Sequence, residues 1–246
     1  MKILVCISKT PDTTTKIAFT DNNTRFNTDK VQFIINPYDE WYALVRSIEI
    51  KEKNGAQVTV MNVGAADSEA IIRKALAIGG DDAVRIDADP DDAFFVADQV
   101  AQFAKAENYD IIFLGKETID YNGSQVGGMI AGLLDLPFIS LASKLEIDGN
   151  TATIERDISG GKEILALQTP FVVSASKGMA EARIPNMRGI MAARTKPIRV
   201  ISPFASEKLT SVKKYELPKE KAGPKMIPAD QPEELVRLLH EEAKVI

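Results

Sequence analysis

Residues 111–128, IIFLGKETIDYNGSQVGG, hold the densest set of chemically useful groups in the chain. Four apolar residues, Ile111 to Leu114, suit a strand buried on both faces. A polar loop follows with Asp120, Asn122, Gly123, Ser124 and Gln125, and Gly127 and Gly128 then fall at a helix start. A strand that feeds such a loop leaves backbone N–H groups unpaired at the positive end of a helix dipole. That is chemistry for holding a phosphate or another anion. The spacing matches neither G-x-G-x-x-G nor the Walker A pattern. An ordinary strand–helix connection therefore stays open as the alternative for this segment taken alone.

Scarce residues narrow the rest. Among 246 residues there is one cysteine, Cys6, and one histidine, His240. A lone cysteine excludes an intrachain disulfide and any cysteine-rich metal site, and its place in the first strand suits a buried core thiol. His240 lies near the end of the chain among charged neighbours and reads as a solvated side chain. Ser–His–Asp hydrolysis and histidine-based metal sites are thereby poor readings. Lysine, tyrosine or carboxylate chemistry remains, or a protein whose work is binding. A net charge of −5 argues against a bulk nucleic-acid binder. No apolar run approaches the roughly 20 residues that span a bilayer. The opening MKILVCISK is too short for a signal h-region and reads as a first strand. The expectation is a cytoplasmic protein, or one starting at a processed end, with no stable membrane insertion. SKTPDTTTK after that strand has no glycine, which disfavours an ATP-using enzyme.

The elements that must position these groups alternate between strand-like and helix-like patterns over the first two-thirds of the chain. Strands are predicted at Lys2–Ile7, Gln57–Val63, Ala83–Ile86, Ile111–Leu114 and Pro137–Leu141. Helices are predicted at Tyr38–Lys53, from Asp67 or Ser68 to Gly79, at Asp91–Glu107 and at Gln125–Leu134. A small hairpin is expected between Lys16–Phe19 and Arg25–Asn27. Over Lys144–Ser174 the pattern becomes strand, turn, strand, with DGN and SGG turns, and reads as an antiparallel appendage. One short helix is expected around Gly189–Ala193. Ser202–Met226 is rich in lysine and loop-forming residues and reads as an extended arm. The arm ends in an amphipathic helix with Asp230 as a candidate cap and Pro232 in its first turn. Such an arm packs on another chain or back on its own domain, and the residues alone do not choose. The fold class is α/β: a doubly wound, mostly parallel sheet with an antiparallel hairpin extension and a long C-terminal arm. Residues 1–200 are expected to form the α/β domain and 201–246 the arm and helix.

Several segments in order along nearly the whole chain resemble the beta subunit of the heterodimeric electron-transfer flavoprotein. The most diagnostic is ATIERDISGGKEILALQTPFVVSASKG, with Glu155, Arg156, Gly160, Gly161, Glu163 and Pro170. KILVCISK, INPYDE at Ile35–Glu40, NVGA at Asn62–Ala65, GKETIDYNGSQVGG and IMAARTKPI at Ile190–Ile198 support it. The resemblance implies an electron carrier, not an enzyme, whose arm embraces an alpha subunit and whose redox-active FAD is shared with that subunit. It also implies an AMP site formed by Cys6, by Asn36, Pro37, Tyr38 and Asp39, and by Val63. The loop Gly115, Lys116, Glu117, Thr118, Ile119, Asp120, Asn122, Gly123, Ser124, Gln125 and Val126 completes that site.

Gln125–Val126 is similar to electron-bifurcating relatives, so a second FAD, with NADH oxidation, is the alternative to AMP. The Asp-Thr-Ala usual before that glutamine in bifurcating proteins is absent. Docking of acyl-CoA dehydrogenases is implied for a recognition loop near 177–194, with Met179 as the protruding anchor and Arg183 beside it. A flavoprotein–quinone oxidoreductase is the implied acceptor. Outside this family, a stand-alone adenine-nucleotide-binding regulator of the same architecture remains the rival.

Overall fold

Apolar runs bounded by turns make the strands here, and amphipathic segments between them make the helices. The computed structural model describes residues 1–221 and 223–246. In chain order the first elements are β1 (Lys2–Cys6), β2 (Lys9–Pro11), β3 (Phe19–Thr20), β4 (Arg25–Phe26), β5 (Phe33–Ile35) and α1 (Asp39–Asn54). Then come β6 (Gln57–Val63), α2 (Glu69–Ile78), β7 (Asp82–Ile86), α3 (Ala93–Glu107), β8 (Ile111–Gly115) and α4 (Val126–Leu134). The rest are β9 (Phe138–Asp148), β10 (Thr151–Ile158), β11 (Gly161–Gln168), β12 (Phe171–Ala175), α5 (Met187–Ala193), β13 (Ile198–Ile201) and α6 (Pro232–Arg237).

A nine-stranded sheet has the order β11-β10-β9-β12-β8-β1-β6-β7-β13. Seven strands run parallel from β9 to β13, and β10 and β11 extend one edge antiparallel. Alternate side chains of β1 supply both faces. Ile3 and Val5 join the apolar layer with Leu44 and Ile48 of α1 and Ile72 and Leu76 of α2. Leu4 joins the layer with Val100 and Phe103 of α3 and Ile130 of α4. Helices thus cover both faces, as a parallel sheet requires. The chain leaves β1 for β6 on one side and reaches β8 on the other, so the strand order reverses at β1. Open α/β sheets bind ligands at that crevice, beyond the carboxyl ends of the strands.

The helices and parallel strands sit within a few residues of their predicted positions, and the small β3–β4 hairpin forms. Several elements depart from the sequence reading, among them the unpredicted antiparallel pair of β2 and β5. Pro137–Leu141 and Leu145–Ile147 are not two strands but one, β9, whose first half pairs parallel with β12 and whose second half pairs antiparallel with β10. Leu141 takes φ 59 at the irregularity between the halves. Phe171–Ser174 belongs to the parallel core and not to the appendage: Phe171, Val172 and Val173 are wholly buried between β8 and β9. Ile198–Ile201 is an edge strand beside β7, half exposed and therefore weakly patterned. Gln231, not Asp230, holds the cap position of α6, without a side-chain hydrogen bond.

Candidate functional site

A cavity of about 650 Å³ opens at the carboxyl ends of β1, β6 and β8. Its depth is apolar, with Cys6, Met61, Val63, Val96, Val100, Leu114 and Val126 on the walls. Its rim is polar, with Ser8, Lys9, Asp67, Asp89, Asp91, Asp120 and Ser124 among others. Such a shape, apolar inside with a few convergent polar groups, suits a small organic ligand with one charged end.

Two glycines let this cleft form. A Cβ on Gly115 would come within 2.8 Å of Glu40 Cγ and of the Glu40 backbone nitrogen, because the end of β8 lies against the start of α1. A Cβ on Gly127 would meet the Phe138 ring at 2.8 Å. Between them the loop is braced from behind. Asn36 is fully buried and donates Nδ2–H to the Glu117 carbonyl at 2.8 Å, while its Oδ1 accepts the Ile119 N–H at 3.0 Å. Ser124 donates to Glu117 at 2.8 Å, and that hydrogen bond is the main reason the Glu117 carboxyl sits below its ordinary range. No side chain caps α4 at Gln125, so first-turn N–H groups face the cleft rim without a capping acceptor.

Charge in the cleft is partly muted. Lys9 pairs with Asp67 at 2.5 Å and Lys116 lies 3.3 Å from Glu117. Glu40 is buried, and burial pushes its carboxyl up to about 8 in spite of the hydrogen bonds it accepts from Ser8 N–H at 2.6 Å and Ser8 Oγ at 2.7 Å. It is therefore largely uncharged near neutral pH. Desolvation, with Glu40 beside it, raises the Cys6 thiol well above its usual range, so the partly exposed Cys6 lines the wall as a protonated, apolar side chain.

Cys6, Val63, Gly115, Lys116, Glu117, Thr118, Asp120, Gly123, Ser124, Gln125 and Val126 come together around the cavity. Asn36, Pro37, Tyr38, Asp39, Ile119 and Asn122 do not line it. Asn36 holds the loop from behind, and Tyr38 takes φ 64 with its side chain largely exposed. Sequence reasoning missed Ser8, Lys9 and Glu40, the Gly64–Ser68 turn, the start of α3, and Thr210, Ser211 and Val212 from the arm. Glu40 ends the INPYDE motif and was within reach. The arm residues carry no local signal, because only the chain's return path brings them to the cleft.

The structure corrects two expectations for the 177–194 loop. Met179 does not protrude: it is 5 % exposed and packs in the α1-side apolar layer, because the turn at Gly178 and the Met179 N–H bond to the Ser176 carbonyl at 3.2 Å fold it inward. Arg183 is no free cation either, since it forms a two-pronged pair with Glu52 of α1 at 2.7 and 3.0 Å. The most exposed apolar side chains nearby are Ile184, Met187 and Met191, at 85, 73 and 57 %. Arg73 ties the end of α5 down by donating to the Ala193 and Lys196 carbonyls at 2.8 and 2.5 Å. Ala193 faces inward, and Met187 and Met191, one turn apart, face out.

Fold and cleft together define an open, doubly wound α/β protein with a cavity at its switch point. Residues 24–205 match the electron transfer flavoprotein domain. The chain is 37 % identical over 261 residues to the electron transfer flavoprotein subunit beta of Bacillus subtilis (strain 168), with all of both chains covered. It is 32 % identical over 256 residues to the subunit of the same name from Homo sapiens, covering all of this chain and 99 % of that one. The chain belongs to the electron transfer flavoprotein family, among its beta subunits, and is an electron-carrier subunit and not a catalyst. No helix of the described residues is long and apolar enough to cross a membrane.

Proposed function

We propose that this beta subunit binds AMP in its cleft and pairs with an alpha subunit to build a soluble, cytoplasmic carrier. In that pair FAD is shared with the alpha subunit, and electrons pass from acyl-CoA and related flavin dehydrogenases to a flavoprotein–quinone oxidoreductase. FAD supplies the redox chemistry, accepting electrons one or two at a time. This chain's residues bind, orient and dock.

The observation that carries the AMP reading is the cavity itself, apolar in depth and bounded at its rim by the uncapped start of α4. Val63, Val96, Val100 and Leu114 suit a flat base, and the α4 N–H groups with Lys116 suit a single phosphate. Asp67, Asp89, Asp91 and Asp120 at the rim disfavour a longer polyphosphate. The glutamate that would add a further buried negative charge, Glu40, is kept largely neutral.

Docking of dehydrogenases falls to Ile184, Met187 and Met191, an apolar cluster rimmed by Arg188 and Arg194. Flexible methionines suit a surface that accepts several partners. The far end of the arm and α6, with Leu235 and Val236 exposed, is the surface offered to the alpha subunit.

The test is co-expression with an alpha subunit, followed by extraction and counting of nucleotides from the yellow complex. One FAD and one AMP is the expected result. Two FAD and no AMP would replace this reading with the electron-bifurcating one. No nucleotide in the cleft would reject both.

A further inference from the structure

The arm does not leave the domain at the end of β13. Phe204 N–H donates to Gln99 Oε1 at 2.7 Å, and Gln99 Nε2 donates back to the Phe204 carbonyl at 3.0 Å. Lys208 pairs with Asp91 and lies 5.5 Å from the centre of the Phe95 ring. Thr210 donates its N–H and its hydroxyl to Asp92 Oδ2 at 2.8 and 2.5 Å. The other oxygen of Asp92 caps α3 by accepting the Phe95 N–H at 2.7 Å. Five residues on, Tyr215 donates its N–H to the Asn23 carbonyl at 2.7 Å and stacks on Phe19 with ring centres 4.9 Å apart and planes 9° from parallel. Its hydroxyl lies 3.5 Å from that of Tyr121, which belongs to the opposite cavity wall. Between the two clasps, Thr210, Ser211 and Val212 line the cavity.

We propose that residues 208–215 are a strap that supplies the missing wall of the adenylate site and sets how fast the nucleotide leaves. The proposal rests on the AMP reading above. A ligand seated between α3 and the 115–126 loop lies under the strap and departs when one clasp opens. The clasps themselves, Lys208–Asp91 at one end and Tyr215 with Phe19 and Asn23 at the other, bridge the two sides of the cleft. Neither Lys208 nor Tyr215 lines the cavity. Weakening them therefore changes release without removing a ligand contact.

The test uses the complete complex with its alpha subunit and flavin, carrying radiolabelled AMP and chased with excess unlabelled AMP. Lys208→Met and Tyr215→Ala are each expected to lose label several-fold to about tenfold faster than the unaltered complex, in keeping with one stack or one ion pair lost. FAD content is expected to stay unchanged in both. Lys53→Met, which removes an exposed pair with Glu146 outside the strap, is expected to release at the unaltered rate. Equal release from the unaltered complex and both clasp variants overturns the strap and leaves the AMP reading standing. Failure of the unaltered complex to retain any labelled AMP overturns the AMP reading and the strap with it.

Discussion

The two halves of the C-terminal arm differ in what holds them. From Phe204 to Tyr215 the chain is tied to α3 and to the β3–β4 hairpin by side-chain and backbone hydrogen bonds, an ion pair and an aromatic stack. From Glu216 to Gln231, among the described residues, only Ile227 is other than exposed. No residue of α6 is buried. The recognition loop divides the same way, with Met179 and Arg183 tied inward and Ile184, Met187 and Met191 facing out. On the reading proposed above, the tied segment from Phe204 to Tyr215 serves the cleft, and the segments the domain leaves unsatisfied are the ones offered to other proteins. An exposed apolar cluster on an otherwise well-covered monomer marks an interaction surface.

Removing residues 217–246 is the strongest challenge to this division. Association with the alpha subunit is expected to fall by on the order of 100-fold or more, as when an interface loses its anchor segment. The thermal midpoint of the isolated chain is expected to move little. A large loss of monomer stability would show that the distal arm belongs to the domain after all.

Glu40→Gln probes the self-satisfied side. The folded carboxyl titrates near 8, against about 4.3 in an unfolded chain. Its stabilising contribution is present below the unfolded value and is lost as pH rises through the folded one. Between those values unfolding should become easier by up to about 1.4 kcal/mol per pH unit. Glutamine resembles the protonated acid and accepts from Ser8 without titrating, so the variant is expected to lose this slope. Denaturation midpoints from about pH 5 to 9 decide it, and identical slopes would mean Glu40 is solvated.

A double substitution, Ile184→Ala with Met187→Ala, is expected to slow reduction by acyl-CoA dehydrogenases about tenfold while nucleotide content stays intact. Met179→Ala, by contrast, is expected to destabilise the fold by about 2–4 kcal/mol as a core truncation, with docking unaffected in the folded fraction. If Met179→Ala slowed reduction and the exposed pair did not, the assignment of the two faces would be reversed.

Thr210→Val is the smallest change. It removes one hydrogen bond to a carboxylate and is expected to cost about 1–2 kcal/mol of stability near neutral pH. Burial raises the pKa of Asp92, but hydrogen bonds from Thr210, Phe95 and Leu209 outweigh it and lower the value overall. The bond's contribution is therefore present above the unfolded carboxyl range and lost as pH falls through the lowered folded value. A variant as stable as the parent at neutral pH would show that Asp92 is satisfied without the Thr210 hydroxyl, by the Thr210 and Phe95 N–H groups alone.

Most strands and helices were legible because their periods are local: a run such as Ile111–Leu114, or the apolar stripe of α1, announces itself within a dozen residues. The loop 115–126 was legible for the same reason, since strand, polar loop and glycine-led helix are contiguous. Placing β12 in the core, fusing β9 and finding β13 each needed knowledge of which strand lies alongside, and that is a long-range fact.

By itself, then, the order of residues determined the α/β class, the polar loop between β8 and α4, the scarcity of histidine and cysteine, and, through matching motifs, the family. Tertiary structure alone decided that Glu40 is buried beside Ser8, that Met179 points inward, that Met187 points outward, and that Thr210 lines a cleft whose facing walls come from residues 6–126. The reason is physical. Backbone preferences act over a few residues, whereas burial, carboxyl titration and the walls of a cavity depend on what the folded chain brings into contact.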